Sequence, residues 1–211
     1  MKKCIIVGSV KTESFNEKEK APNTLYIAAD GGYSYMKAAK ITPDILLGDF
    51  DSLSAGVELP EGTEIIKYPV EKDDTDTLIA VKTAIGRGCE EITLYGCLGG
   101  ERFDHSIATL QTLTFAASRG VKITAVGDID GKVFYVTAIR NTEIALSSEN
   151  GGTFSVMCAD GECVGVTVEN AKYCVKDVTL TPYQPTGVSN SFIKGKKARI
   201  SVKDGTLWIF Y

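Results

Sequence analysis

Histidine is almost absent from this sequence, which contains only His105 among its 211 residues. A zinc site built from several imidazoles is therefore excluded, and a Cys-His-Asp triad would require that one residue. The six cysteines form no CxxC pair and no metal-ligand spacing, and most lie in apolar runs. We expect reduced thiols in the core, because free cysteine behaves as a small hydrophobic residue. Any bound metal should then be a hard ion with oxygen ligands, such as magnesium.

Long apolar runs are also missing, since none approaches the roughly 18 residues of a membrane-spanning helix. The opening "MKKCIIVGSV" looks like a short signal peptide, but charged and polar residues over 11–20 interrupt it and no small-residue cleavage site follows. Basic residues are not in excess either, because the formal net charge is −4. The sequence thus predicts a cytoplasmic protein that presents no broad basic surface to nucleic acid or to a membrane.

Three well-known nucleotide-binding patterns are absent. There is no G-x-x-x-x-G-K-[ST] loop, which argues against a P-loop NTPase. The first predicted strand continues into "GSVKTES" without G-x-G-x-x-G, which argues against a dinucleotide-dependent oxidoreductase. The glycine-rich loop and the HRD motif of protein kinases are missing as well.

The hydrophobic period changes near residue 127. Before it, apolar strands alternate with helical patterns, which predicts a mainly parallel, Rossmann-like sheet. The helical repeats are Leu78, Val81 and Ile85 after Asp74, and Ile107, Leu110, Thr114 and Ala117 after Asp104. After it, seven short strand patterns of period two are separated by turn signals such as "ENGG" and "ADGE". We therefore predict an α/β domain over residues 1–127 and an all-β sandwich domain over residues 128–211. The strand patterns of the first half are "CIIVGSV", "TLYIAA", "DILLG", "TEIIKYP", "EITLYG" and "KITAVG".

Four of these strands are followed by acidic or glycine-rich turns. Because ligands bind at the carboxyl ends of parallel strands, the turns are expected to meet at one edge of the sheet. Each turn alone is ordinary, since Asp-Gly-Gly favours a tight turn and Thr75 or Asp104 suits a helix N-cap. Together they would bring at least five carboxylates into repulsion unless a cation lies among them. The residues that we single out are Asp30, Gly31, Gly32, Asp49, Asp51, Lys72, Asp73, Thr75, Asp76, Gly99, Gly100, Arg102, Asp104 and His105.

Asp49 and Asp51 are the first candidates for metal ligands. They are two residues apart, so in an extended chain their side chains leave the backbone on one face and can share a divalent ion. Magnesium accepts a few protein carboxylates together with phosphate oxygens. A third carboxylate from the next turn, Asp76 or Asp73, would complete the site, and the spacing leaves both open.

The phosphate groups of such a substrate would need positive partners. Helices that begin after the glycine-rich turns supply backbone N–H groups and the positive ends of their dipoles. Lys72 and Arg102 add cationic side chains. This combination indicates magnesium-assisted phosphoryl or pyrophosphoryl transfer.

The ordered motifs "ADGG", "PDILLGDFDS", "EKDDTD" and "GGERFDH" make the chain resemble the thiamine pyrophosphokinase (thiamine diphosphokinase) family. The resemblance covers nearly the whole chain and includes the late "TGVSNSF". It implies that pyrophosphate is transferred from ATP, the co-substrate, to the hydroxyl of thiamine, giving thiamine diphosphate and AMP. It also implies magnesium as the cofactor and a homodimer with active sites between subunits.

The same resemblance implies roles for individual residues. Asp49, Asp51 and Asp76 would be catalytic and would bind magnesium. Ser189 and Asn190 of "VSN" would contact thiamine from the second domain. The ATP pocket and its support would be formed by Asp30, Gly31, Gly32, Lys72, Asp73, Thr75, Arg102, Asp104 and His105.

The chain departs from the family pattern in one turn. The family reads Gly-Gly-Arg-x-Asp-His, whereas Glu101 is inserted before Arg102 here. The insertion changes the spacing between the glycine turn and the guanidinium, so their contacts do not transfer directly from the family.

Two alternative functions stand beside the main hypothesis. The first is a pyrophosphokinase that acts on another heterocyclic alcohol, such as a hydroxymethyl-pterin. The second is a non-catalytic nucleotide-binding protein. Thiamine-dependent release of AMP from ATP separates all three.

Overall fold

The computed structural model describes residues 1–49, 61–69, 71–149 and 151–211. The chain divides into two compact units. The N-terminal unit comprises Met1–Thr112 and Val121–Phe134, and the C-terminal unit comprises Leu113–Gly120 and Tyr135–Tyr211.

The N-terminal unit contains six parallel strands in the order β6-β5-β1-β2-β3-β4. All six strand patterns predicted for the first half are thereby confirmed. Their apolar side chains explain the arrangement, because a parallel sheet is buried on both faces and its strands read as continuous apolar runs. The strands are β1 (Lys3–Val7), β2 (Thr24–Ala29), β3 (Ile45–Gly48), β4 (Glu64–Lys67), β5 (Glu91–Tyr95) and β6 (Lys122–Ile129).

Three α-helices occur in the described residues: α1 (Gly32–Ala38), α2 (Asp76–Gly86) and α3 (Phe103–Ser118). A short 3₁₀ helix covers Glu17–Glu19. Thr75 caps α2, since its side-chain oxygen accepts a hydrogen bond from the backbone N–H of Leu78 at 3.2 Å. The helices that the sequence predicted after Asp74 and Asp104 are therefore present. None of the described helices has the length and apolar character needed to cross a membrane.

The core of the N-terminal unit includes apolar side chains from β1, β2 and α1. Val7, Ala28 and Met36 are fully buried there, and the Phe15 ring lies 5.3 Å from that of Tyr95. This core reaches the carboxyl ends of β1 and β5, so the turns that follow these strands start from rigid positions.

The C-terminal unit is built from strands that pair antiparallel. One group has the order β12-β9-β14-β7, and a separate four-stranded sheet has the order β11-β10-β13-β8. All seven strand patterns predicted for the second half are present, and the short β12 is an addition. The strands are β7 (Lys132–Arg140), β8 (Glu143–Leu146), β9 (Thr153–Cys158), β10 (Cys163–Glu169), β11 (Val175–Leu180), β12 (Asn190–Ser191), β13 (Ala198–Ser201) and β14 (Thr206–Phe210).

The two groups of strands in the C-terminal unit share one apolar core. Phe154 and Leu207 contribute from the first group, and Val166 and Ile200 contribute from the second. Each of these side chains is at most 1% exposed. The alternation of apolar and polar residues along the strands produces this arrangement, because only every second side chain faces the core.

Candidate active site

The carboxyl ends of β2 and β3 place two of the predicted site residues next to each other in register. Ala29 is paired with Leu47, Asp30 follows Ala29, and Asp49 comes two residues after Leu47. The backbone N–H of Asp30 donates to the Leu47 carbonyl at 2.7 Å. Both aspartates therefore lie at the edge of the sheet where the sequence predicted a site. Asp51, the third residue of this group, lies outside the described residues.

A cleft opens at this edge within the N-terminal unit, and we call it the edge cleft. Its walls come from the turns after β1, β2 and β5 and from the first turns of α2 and α3. Because the strand order reverses between β1 and β5, the cleft lies at the topological switch point, where open α/β sheets bind ligands. The lining residues are Gly8, Ser9, Val10, Ala29, Asp30, Thr75, Asp76, Thr77, Gly96, Cys97, His105 and Thr109.

The turns after β1 and β5 approach each other too closely for side chains. A Cβ atom on Gly8 would lie 2.5 Å from the Gly96 carbonyl oxygen, and one on Gly96 would lie 2.7 Å from the Gly8 carbonyl oxygen. These glycines and the adjacent Ser9 and Val10 were not among the residues predicted from the four acidic or glycine-rich turns. A glycine directly after each apolar strand was the signal that could have identified them.

The start of α2 contributes a buried ion pair to the cleft. Lys72 Nζ lies 2.8 Å from Asp76 Oδ1, and their side chains are only 13% and 31% exposed. The capping residue Thr75 and the next residue, Thr77, also line the cleft. The N-terminus of an 11-residue helix therefore faces the cleft together with Asp30 and Asp76, and Lys72 is paired with Asp76. Asp73 is exposed and is not among the lining residues.

The acceptor atoms at this edge suit a hard cation. Asp76 Oδ1 is buried and accepts no hydrogen bond in the described part of the chain, although the Lys72 ammonium is near. Carboxylate oxygens are the ligands that magnesium prefers, so the aspartates at this edge fit that ion. Within the described residues, no three acidic, histidine or cysteine side chains are close enough to hold a metal by themselves.

Cys97 contributes a thiol to the lining of the edge cleft. Burial raises the pKa of its thiol to about 11, and the Thr77 hydroxyl lies 3.8 Å from Sγ. The thiol is consequently neutral at physiological pH, and it is not a poised nucleophile.

The glycine turn before α3 is organised separately from the cleft. The hydroxyl of Ser106 accepts a hydrogen bond from the Gly99 N–H at 2.9 Å, which fastens the turn to the helix. Arg102 donates two hydrogen bonds to Asp104, at 3.0 and 2.6 Å, on the exposed surface. These bonds lower the pKa of Asp104 to about 2. Of the five residues singled out in this segment, Gly99, Gly100, Arg102, Asp104 and His105, only His105 lines the edge cleft.

The two predicted thiamine contacts lie in the C-terminal unit. Ser189 has a left-handed backbone with φ of 64°, and its N–H donates to the Ser155 hydroxyl at 3.1 Å. The side chain of Asn190 is bonded to the backbone of Tyr173, donating to its carbonyl at 2.7 Å and accepting from its N–H at 3.0 Å. The asparagine thus fixes the segment that carries Tyr173.

An apolar pocket of about 330 Å³ lies beside this segment, within the C-terminal unit. Asn190 and Val188 line it, and Tyr173 stands at 58% exposure on its wall. Its size is that of a small-molecule site. Valines supply most of the remaining apolar lining, namely Val156, Val166, Val168, Val175 and Val178.

The structure thus brings together Asp30, Thr75, Asp76 and His105 in one cleft, with Lys72 paired to Asp76. Other predicted residues support this region without lining it. Gly31 precedes α1 and Gly32 begins it, and Arg102 and Asp104 are paired with each other at the surface.

Two family models match the chain in order. The model described as "Thiamin pyrophosphokinase, catalytic domain" matches residues 17–125. The model described as "Thiamin pyrophosphokinase, vitamin B1 binding domain" matches residues 141–207. A curated relative, thiamine pyrophosphokinase of Bacillus subtilis, is 32% identical over 108 residues, which span 48% of this chain and 48% of the relative. The match thus covers about half the length of that curated relative.

Solved structures with the same fold cover almost the whole chain. The thiamine pyrophosphokinase structure from Bacillus subtilis has a TM-score of 0.82 at 23% identity and covers 99% of this chain and 98% of that one. The yeast thiamin pyrophosphokinase structure has a TM-score of 0.72 at 15% identity, with 99% and 86% covered. At these identities the likeness establishes the fold.

Proposed function

The chain belongs to the thiamin pyrophosphokinase family, and we propose that it transfers pyrophosphate from ATP to the hydroxyl of thiamine. The products are thiamine diphosphate and AMP. The observation that carries this proposal is the ordered match to both the catalytic and the vitamin B1 binding models, over residues 17–125 and 141–207. The hydroxymethyl-pterin alternative lacks such support, because the second model describes thiamine binding.

ATP is assigned to the edge cleft. Phosphates suit the start of α2, where backbone N–H groups point outward and Lys72 supplies charge. The switch point between β1 and β5 supports a Rossmann-like sheet. We propose a catalytic domain over residues 1–127 and a thiamine-binding domain over 128–211. The thiamine hydroxyl gives up its proton and its oxygen bonds to the β-phosphorus of ATP, while the bond from that phosphorus to the oxygen bridging it to the α-phosphorus breaks and AMP leaves in line.

Asp49, Asp51 and Asp76 are assigned as the carboxylates that hold magnesium. When bound, the ion supplies positive charge that stabilises the phosphate oxygens during transfer. Asp76 lines the edge cleft, whereas Asp73 is exposed and does not, which favours Asp76 as the third ligand. Lys72 holds the Asp76 carboxylate in the cleft through their ion pair.

We propose that Arg102 binds a phosphate group of ATP by leaving its present partner, Asp104. Its guanidinium now binds Asp104 at the surface, where both side chains are about two-thirds exposed. Exposed ion pairs contribute little stability, so a phosphate can replace the carboxylate at small cost. Asp104 and His105 then shape the rim of the ATP site, and the inserted Glu101 sets the position of Arg102.

Thiamine is assigned to the apolar pocket of the C-terminal unit, with Ser189 and Asn190 as its polar contacts. The valine lining suits the heterocyclic rings, and the Tyr173 ring can stack on them. The acidic edge cleft attracts the positive charge of the thiazolium ring. The hydroxyl of thiamine must reach the β-phosphate of ATP for transfer. In the proposed homodimer, the two substrates would meet in an active site formed between subunits.

The cellular setting follows from the same family. We propose a cytoplasmic enzyme, because all six cysteines are free thiols and reduced thiols persist in that compartment. The net charge of −4 supports small-molecule substrates rather than nucleic acid or membranes as partners. Sedimentation at several protein concentrations tests the homodimer, which should have twice the mass of one chain.

The proposed reaction is tested by measuring AMP and thiamine diphosphate after incubation with ATP, magnesium and thiamine. We expect equimolar formation of both products, loss of activity when magnesium is chelated, and recovery when it is returned. Parallel reactions replace thiamine with a hydroxymethyl-pterin or omit the acceptor.

Three outcomes would contradict the proposal in different ways. AMP formation with the hydroxymethyl-pterin but not with thiamine would favour the alternative pyrophosphokinase, which acts on another heterocyclic alcohol. Binding of ATP without any acceptor-dependent AMP would favour a non-catalytic nucleotide-binding protein. Activity that persists after complete removal of divalent ions would overturn the assignment of the three aspartates to magnesium.

A further inference from the structure

The loop after β1 forms one wall of the edge cleft. Ser9 and Val10 line the cleft, and the Val10 N–H donates to the Gly96 carbonyl at 2.9 Å. The Val10 side chain also borders the glycine turn, because a Cβ atom on Gly100 would lie 3.4 Å from its Cγ1. This loop is therefore one of the segments that shape the edge cleft.

The far end of the same loop is fastened by one carboxylate oxygen. Asp128 Oδ2 accepts hydrogen bonds from the hydroxyls of Thr12 and Ser14 at 2.7 and 2.9 Å. It also accepts from the backbone N–H groups of Glu13 and Ser14 at 3.2 and 3.4 Å. Four donors from the consecutive residues Thr12, Glu13 and Ser14 thus converge on a single carboxylate oxygen near the end of β6.

The environment of Asp128 keeps the carboxylate ionised. Burial by itself raises the pKa of Asp128, but the hydrogen bonds from Thr12, Ser14 and the backbone outweigh burial and hold the pKa below its ordinary value. Hydrogen bonds to an ionised acceptor are about twice as strong as neutral ones. Thr12 is only 7% exposed and Phe15 only 6%, so the anchored end of the loop is also packed.

We propose that Asp128 is a positioning residue for nucleotide binding, which holds the Gly8–Phe15 loop in the shape that the edge cleft requires. The proposal rests on the proposed function, since it assigns ATP to that cleft. The family match does not assign this role, because Thr12, Ser14 and Asp128 lie outside the matched segments, 17–125 and 141–207. Asp128 touches no substrate and acts through Thr12 and Ser14.

Nucleotide affinity is the property that tests this role. Titration calorimetry measures binding of α,β-methylene-ATP with magnesium, because this analogue cannot be cleaved where the enzyme cuts. If Asp128→Ala leaves the loop in its binding shape about one-tenth of the time, the dissociation constant rises about tenfold. Asp128→Asn should have a smaller effect, since its amide oxygen can still accept hydrogen bonds from the loop, although without the charge.

Steady-state kinetics separate positioning from general damage. We expect KM for ATP to rise in Asp128→Ala while kcat at saturating ATP and KM for thiamine stay within about twofold of wild type. Ser14→Ala should weaken nucleotide binding less than Asp128→Ala does. The loss of binding free energy in the double variant Ser14→Ala/Asp128→Ala should be smaller than the sum of the losses in the two single variants. Glu13→Ala is the matched control, because it removes an exposed carboxylate from the same loop whose side chain pairs with Lys11.

The outcomes distinguish this inference from the proposed function. If wild type binds the analogue and forms AMP with thiamine, but Asp128→Ala binds as tightly, the positioning role is wrong. An equal rise for Glu13→Ala, or a fall in kcat with KM for ATP unchanged, overturns it as well. If wild type binds no nucleotide, the proposed function fails and the inference fails with it. Should Asp128→Ala not fold, Asp128→Asn and Ser14→Ala decide the question.

Discussion

At the scale of single residues, backbone strain coincides with both predicted binding sites. Asp30 has φ of 51° and Ser189 has φ of 64°, which are left-handed conformations. Such conformations cost a non-glycine residue roughly 1–3 kcal/mol and persist only where the surroundings impose them. Asp and Asn tolerate them better than Ser, so Ser189 is the more telling case. The same conformation also occurs outside both sites, for example at Lys40 with φ of 56°, so it marks constrained backbone and does not by itself assign substrate binding.

Asp76 provides a direct test of the cleft chemistry at this scale. We expect Asp76→Asn to lower kcat/KM by at least about 100-fold, because a neutral amide replaces a carboxylate that we assign to magnesium. The variant should also unfold at lower urea concentration, since Lys72, only 13% exposed, loses its partner. Product formation and urea denaturation measure the two effects.

The control for Asp76→Asn is Asp74→Asn. Asp74 pairs with Lys82 and does not line the cleft, so this variant should keep kcat/KM within about twofold of wild type. Equal losses in both variants would mean that the charge of the whole segment, rather than the Asp76 carboxylate, controls activity.

Acid should weaken the Asp128 anchor in a defined pH range. A carboxyl group whose pKa is lower in the folded than in the unfolded chain stabilises the fold above the unfolded value, about 3.9. That stabilisation is lost as the pH falls through the lower folded pKa. The unfolding free energy of wild type minus that of Asp128→Asn should therefore be constant between about pH 5 and 7 and shrink below about pH 4. Urea denaturation across this range measures it, and a difference that grows on acidification would contradict the account.

At the scale of secondary structure elements, the junction between β1 and α1 leaves no room for a side chain. A Cβ atom on Gly32 would lie 1.9 Å from the Val7 carbonyl oxygen, so the backbone would have to move. We expect Gly32→Ala to destabilise the protein by about 3 kcal/mol or more, because overpacking against backbone cannot be relieved by a rotamer change. Thermal or urea unfolding measures the loss.

Gly86 in α2 is the matched control for Gly32. A Cβ atom there meets nothing within 4 Å, and alanine is a better helix former than glycine. Gly86→Ala should consequently raise stability by roughly 0.5–1 kcal/mol. If the two variants changed stability by the same amount, close approach of β1 and α1 would not explain why position 32 requires glycine.

The helices show how spacing and burial differ at this scale. The apolar repeat of Leu78, Val81 and Ile85 predicted α2, yet its buried residues are Ile79, Ala80, Val81 and Ala84. Similarly, Ile107 belongs to the repeat that predicted α3 but is 41% exposed. Helical period was therefore readable from sequence, whereas the buried face depended on how each helix packs.

At the scale of the whole molecule, the cysteines are distributed so that one is accessible. Five are buried and Cys174 is exposed, and all six are free. We expect one thiol of the native protein to react rapidly with a disulfide reagent and six to react in denaturant. Cys174→Ser should remove the rapid reaction and leave five thiols in denaturant.

Cys89 should follow Cys174 among the native thiols. A hydrogen bond from Cys4 lowers the pKa of Cys89 to about 7, but the side chain is only 3% exposed. Its reaction must therefore wait for local opening. Labelling followed by mass spectrometry identifies the order, and two rapidly reacting thiols would contradict the described burial.

The sequence by itself determined the order of strands and helices along the chain, the α/β and all-β parts, and the family. It did so because hydrophobic period and turn chemistry are local, and because four motifs occurred in the family's order. It also predicted that Asp30, Thr75, Asp76 and His105 lie close together, as they do in the edge cleft, since carboxyl ends of parallel strands meet at one edge.

Only the tertiary structure decided which residues share a cavity and which are paired elsewhere. The strand order put β1 beside β5 and so brought Ser9 and Val10 into the cleft, although neither belongs to an acidic turn. The ion pair between Arg102 and Asp104 and the bonds from Thr12 and Ser14 to Asp128 depend on side-chain geometry. Contacts between residues more than 100 positions apart leave no local pattern, which is why the Asp128 anchor appeared only in the folded chain.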